Sequence, residues 1–149
     1  MKNKRKIIYW GLLIGWMTVI FIMSNQPAVV SDKQSTTTIM LLSKMGIHMS
    51  SIFGELSNFI IRKISHFLEY MILGILTLNV LGLYYNKSKI KFIVLLVVFA
   101  YACSDEFHQL FIPGREGAIR DVIIDTLGGA TSIFIMDLKH KSIRKKNSI

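Results

Sequence analysis

The chain holds one cysteine, Cys103, among its 149 residues, so no intramolecular disulfide and no paired-cysteine metal site can form. Cys103 sits in an apolar stretch, where a thiol ordinarily serves as a small buried hydrophobe. Acidic residues are scarce, nine against 18 Lys and Arg, which leaves a formal charge of +9. There is no internal repeat and no low-complexity tract, and without an inverted repeat the sequence gives no sign of a transporter's alternating path. The first apolar run is followed by "SNQPAVVS", which lacks an A-x-A-like cleavage site, so that run is expected to be a retained anchor and not a signal peptide.

Apolar residues, by contrast, are abundant: 52% of the chain is hydrophobic and its mean hydropathy is +0.47. This composition points to a single domain, residues 1–149, built of apolar helices in a membrane. Four runs, at about 7–23, 67–84, 90–112 and 122–138, approach the length that crosses a hydrocarbon core of about 30 Å. Pro113 and Gly114 end the third run. Between the first two runs lies a polar connection from Ser24 to Arg62, in which Ile39, Leu42, Gly46, Met49, Phe53 and Leu56 share one helical face. That face predicts an interfacial helix over about 37–57. The expected fold is therefore an all-α integral membrane protein, a four-transmembrane-helix bundle with an outer interfacial helix between spans one and two.

Basic residues orient the bundle. The segment 2–6, the loop 87–91 and the tail 139–146 together hold twelve of the 18 Lys and Arg, and all three fall on one side of a four-span arrangement. The excess of Lys and Arg marks that side as cytoplasmic, with both termini inside a multi-pass cell-membrane protein. The other six, Lys33, Lys44, Arg62, Lys63, Arg115 and Arg120, fall outside together with every acid but Asp137. The net charge is thus accounted for by topology, and no nucleic-acid partner is expected.

The ionisable residues within the spans are arranged in stripes. Arg62, His66 and Glu69 follow i, i+4, i+7, as do Tyr101, Asp105 and His108, while Asp121 and Asp125 lie one turn apart and continue into Gly128 and Ser132. Glu106 and Gln109 form a neighbouring stripe. At about 1.5 Å per residue, Glu69, Asp105 and Asp125 all lie roughly 7 to 10 Å below the outer ends of their helices. A lone charge at mid-membrane costs about 2.5 to 3.5 kcal/mol on insertion scales, so these groups are expected to converge in a shared, partly wet pocket facing the outer leaflet. A polar network that only ties helices together is the structural alternative. "GGATS", Gly128 to Ser132, reads as a small-residue packing face.

The chemistry of such a pocket suits an anionic group. Arg115 and Arg120 can grip phosphate or carboxylate with two-pronged hydrogen bonds, and Lys63 adds a mobile charge. Glu106 or His66 is the candidate general acid or base, Glu106 also as charge partner of Arg115; whether catalysis occurs is left open. Glu69, Asp105, His108, Gln109, Asp121 and Asp125 complete the candidate lining. The expected partner is a membrane lipid or a lipid-linked cell-wall precursor, with no cofactor. A divalent metal is the alternative, because His66-x-x-Glu69 and Asp105-x-x-His108 have the spacing that aims two ligands inward from one helix. A non-catalytic component that alters lipopeptide access through its interfacial helix is a further alternative.

Three segments, "KISHFLEY" (Lys63, His66, Phe67, Tyr70), "EFHQLFIPGR" (Glu106, Gln109, Pro113, Gly114, Arg115) and "DVIIDTLGG" (Asp121, Asp125, Gly128), with "SNQP" after the first run, stand in an order that resembles the VanZ-like family. Asp125 stands where many members carry Asn. The resemblance covers nearly the whole chain. It implies a role in the cell envelope, with low-level resistance to teicoplanin-type glycopeptides in at least some relatives, and it supplies no reaction.

Overall fold

An apolar run without a partner strand must satisfy its backbone N–H and C=O groups within itself, which a helix does. The computed structural model follows that rule over the residues it describes, 2–85 and 87–146, with side chains over 3–85 and 89–139. Its elements are α1 (Lys2–Ser24), α2 (Ala28–Lys44), the short α3 (Met49–Phe53), a 3-10 turn (Gly54–Leu56), α4 (Ser57–Leu81), α5 (Lys87–Gln109) and α6 (Ile119–Lys146), with no strand among the described residues. Among the described residues, two helical stretches are long and apolar enough to cross a membrane, Asn3–Ser24 and Met49–Leu81.

The connection between the first two spans differs from the single interfacial helix expected over 37–57. α2 begins earlier, at Ala28, straight after Pro27. It stops at Lys44, where Gly46 adopts φ +86°, the left-handed conformation that closes helices and disfavours side chains. Gly46 N–H then bonds Ser43 O at 3.0 Å and Ile47 N–H bonds Leu42 O at 2.9 Å, the paired bonds of a Schellman turn. The apolar periodicity runs on across this turn and so conceals it. The apolar face still serves to pack: Ile39, Met49 and Leu42 gather with Ile60 and Ile61, so the α2–α3 hairpin lies on the start of α4.

α4 starts at Ser57 instead of Phe67, since Arg62, Lys63 and His66 find polar surroundings within the protein and do not interrupt the helix. α5 gives way after Gln109 to a turn over Leu110–Ile112, a little before the Pro113-Gly114 break. α4 is the central helix. Its most extensive partner is α6, with α1, α2 and α5 around it. Tyr70, Leu73, Val94, Val98, Ala102 and Ile20 form the buried core. The closeness of α4 and α6 depends on Gly128, where an added Cβ would fall on the Phe67 carbonyl oxygen. Aromatic donors fasten α1: Trp16 Nε1 donates to Glu69 O at 2.9 Å, and Tyr101 OH to Met17 O at 2.7 Å.

The two ends of the bundle differ in kind. At one, Lys6 stacks on Tyr84, Trp10 Nε1 donates to Tyr84 OH, and Lys91 pairs with Asp137. At the other, Ala28 N–H bonds Pro113 O at 3.2 Å and Lys63 pairs with Asp121. The candidate site belongs to this second end.

Candidate functional site

The α4 stripe Arg62, His66 and Glu69 lies on the wall of a cavity of about 400 Å3. Arg115 faces it from the α5–α6 loop, and Ser31, Ser35 and Thr38 face it from α2. A second cavity of about 140 Å3 shares Arg62, His66 and Arg115 with the first and adds Lys63, Arg120, Gln109, Glu116 and Asp121. Its lining carries four basic side chains against two carboxylates.

Each cation has a fixed posture. Lys63 pairs with Asp121, whose Oδ1 lies 3.6 Å from Arg120 Nε. Lys63 and Arg120 also flank the Phe59 ring, at 5.1 and 5.0 Å from its centroid, contacts that stabilise by about 0.5 to 1 kcal/mol each where water reaches them. Arg62 Nη1 bonds Asp32 Oδ1 on α2 at 3.2 Å. Arg115 donates from Nε to the Gln26 carbonyl at 3.1 Å. Held by its inner nitrogen, that guanidinium keeps its two outer nitrogens for another acceptor. Burial, then repulsion from Arg62, moves the Arg115 pKa below its ordinary value, and an anion beside it would oppose both effects.

The expected acids divide into groups. Asp105 on α5 and Asp125 on α6 are buried beside His66 of α4, one ligating atom from each lying within 4.8 Å of the others. Gln109 Nε2 donates to Asp105 Oδ2 at 3.2 Å and to Glu106 Oε1 at 3.4 Å. Glu106 makes no ion pair with Arg115 among the described residues, although its charge is one of those acting on that guanidinium. Its Oε2 accepts the Ala118 N–H at 2.8 Å, and the Ala118 carbonyl begins α6 by accepting from Asp121 N–H, so Glu106 anchors the start of that helix. Neither cavity lining includes Glu106.

His108 is placed elsewhere. Its Nε2 lies 3.1 Å from Asn25 Oδ1 and its ring packs on Phe21 at 4.9 Å, because the last turn of α5 meets the end of α1. Of the metal set expected from spacing, His66, Glu69, Asp105 and His108, only His66 and Asp105 belong to the group that gathers, with Asp125 as its third member, while His108 turns to α1. Arg62 belongs to both cavities although only its stripe membership was visible in the sequence. The α2 hydroxyls were also missed; the polar run "SDKQSTTT" opposite the Ile39–Leu42 face was their available signal.

Residues 9–140, which include all residues of both cavities, match the VanZ/LLP1 family model. The chain belongs to this family. No curated protein and no solved structure matches it. In this VanZ/LLP1 chain the three quoted segments, distant in sequence, meet around His66: Lys63 on α4 pairs with Asp121 on α6, and Gln109, Gly114 and Arg115 line the same cavity.

Proposed function

We propose that this VanZ/LLP1 chain is a four-span membrane protein that holds an anionic, phosphate-like group of the cell envelope at the outer face of the membrane. The observation that carries the reading is the excess of cations around the smaller cavity, four basic side chains against two acids. A dianionic headgroup would balance that charge, and Arg115 is already oriented by Gln26 to present its two outer nitrogens.

Four spans, not two, suit the distribution of side chains. α5 and α6 bury Asp105, Glu106, Gln109, Asp125 and Ser132 and turn Phe92, Leu96, Phe99, Ile123, Leu127 and Phe134 outward. Polar interior and apolar exterior is the arrangement that lipid favours, and average hydropathy underrates such helices because the buried charges count against them. The twelve basic residues at the opposite end orient the cavities outward. Membership of the VanZ/LLP1 family supports a role in the cell envelope and, with it, in glycopeptide resistance of the teicoplanin type.

The purified chain in nanodiscs, offered a lipid monophosphate and a phosphocholine lipid, should prefer the monophosphate, and Arg115→Gln should remove most of that preference. Equal retention of both lipids by the wild-type chain would sink the reading. A second reading is favoured by Met40, Leu41, Met45 and Ile47, which stand exposed on the α2 end and its turn: this hairpin would rest in the interface and alter lipopeptide access without any bound headgroup.

A further inference from the structure

Asp125 is 0% exposed, yet neither of its carboxylate oxygens has a hydrogen-bond partner among the described residues, and the same holds for Nδ1 of His66. His66 Nδ1 and Asp125 Oδ1 face each other at 3.9 Å, too long for a hydrogen bond. Asp105, 4% exposed, brings a second carboxylate to the same point from α5. Native proteins seldom leave buried carboxylates unsatisfied, because desolvation is costly unless a cation or donor repays it. Of the neighbouring cations, Lys63 is engaged by Asp121 and Arg62 by Asp32, while Arg115 acts on Asp105 through space without an ion pair to either buried carboxylate among the described residues.

We infer that His66, Asp105 and Asp125 form a binding site for a first-row divalent cation, Zn2+ or Mn2+, where α4, α5 and α6 meet. One imidazole and two carboxylates match that class: the nitrogen favours Zn2+ over the harder Mg2+ or Ca2+, and the oxygens also admit Mn2+. Metal–ligand bonds of about 2.0 to 2.2 Å put neighbouring ligand atoms about 3 to 3.5 Å apart, so closing from a spread within 4.8 Å needs only side-chain adjustment. The three ligands come from three helices, as in other metal sites at the cores of helix bundles. Gln109, donating to Asp105 Oδ2, supplies the outer hydrogen bond that orients a ligating carboxylate. His66 also lines both cavities, so an ion bound behind it would fix the ring that the anion pocket shares. The site itself rests on the three-helix geometry and not on the anion reading.

The test uses the untagged full-length chain in detergent micelles, stripped with a chelator and titrated separately with Zn2+ and Mn2+. Metal content after dialysis should reach about one equivalent of one of the two ions, with a rise in unfolding temperature. His66→Gln and Asp125→Asn should each weaken binding by at least about tenfold, while Glu55→Gln, on the exposed 3-10 turn, should not. Binding below about a tenth of an equivalent, or equal binding by all variants, overturns the inference and leaves bound protons to satisfy the carboxylates. If the variants fail to accumulate, X-ray absorption of the loaded wild-type chain decides: a shell of imidazole nitrogen and oxygen supports the site, and a sulfur or all-oxygen shell overturns it. No lipid phosphate is present in this titration, so a failure here leaves the cavity reading standing, and a failure of headgroup binding leaves the metal site standing.

Discussion

Arg115 and Glu106 lie nine residues apart in one motif, yet the structure gives them different work. Arg115 lines both cavities and is steered by the Gln26 carbonyl. Arg115→Lys keeps the charge and loses the fork, so a phosphate would forfeit one of two charge-assisted bonds, about 1.5 to 3 kcal/mol. Lipid-monophosphate affinity in nanodiscs should fall by about ten- to a hundredfold with unchanged expression; retention within about twofold would show that the fork is not used. Glu106→Gln should behave otherwise. A glutamine oxygen can still accept from Ala118 N–H, but without the negative charge the bond weakens by about 1 kcal/mol, so a thermal unfolding scan should show a modest loss of stability while binding persists. Loss of binding at full stability would return Glu106 to the reacting centre. Spacing placed both residues near the outer mouth and suggested Glu106 as a charge partner of Arg115; the bond Glu106 makes to Ala118 N–H was not legible, because it depends on how the loop 110–118 folds back over α5. The same holds for His108: its stripe was legible, but the neighbouring α1, and not the helix face, sets where the ring goes.

At the scale of helices, periodicity and length located α1, α4, α5 and α6, and the small-residue run "GGATS" identified the face by which α6 packs. Its limit shows at Gly46, where apolar residues keep helical spacing on both sides of a turn, and the only signal of the break is the glycine itself. It shows again at Ser57, since residues 57–66 are too polar for a lipid-facing helix but suitable for one that lines a cavity. The packing face yields a direct prediction. At Gly128 a Cβ would collide with the Phe67 carbonyl, a backbone atom that cannot rotate away. Gly128→Ala should therefore push α6 from α4 and destabilise the bundle by about 1 to 3 kcal/mol, read as a lower unfolding temperature in detergent, and Gly128→Leu should prevent accumulation. Wild-type stability in both variants would mean that the two helices are not this close.

For the whole molecule, the decisive question is which end faces the cytoplasm. The bundle brings Lys6, Lys91 and their aromatic or acidic partners Tyr84 and Asp137 to one end, and sequence adds the loop 87–91 and the segments 2–6 and 139–146 to that side. The cavities, with Arg62, Arg115 and Arg120, open at the other. Positive charge is retained on the cytoplasmic side during insertion, so the cavities should face out, where an envelope headgroup or a glycopeptide would meet them. Glu116 stands exposed on the loop between α5 and α6, and the native thiol, Cys103, can be replaced by serine to leave a silent background. Glu116→Cys in Cys103→Ser should then react with a membrane-impermeant maleimide added to intact cells, and a cysteine replacing Ser148 at the tail should react only after lysis. The reverse pattern would put the cavities in the cytoplasm and exclude an extracellular ligand. If both positions label from outside, α6 does not cross and lies outside the bilayer despite its apolar outer face.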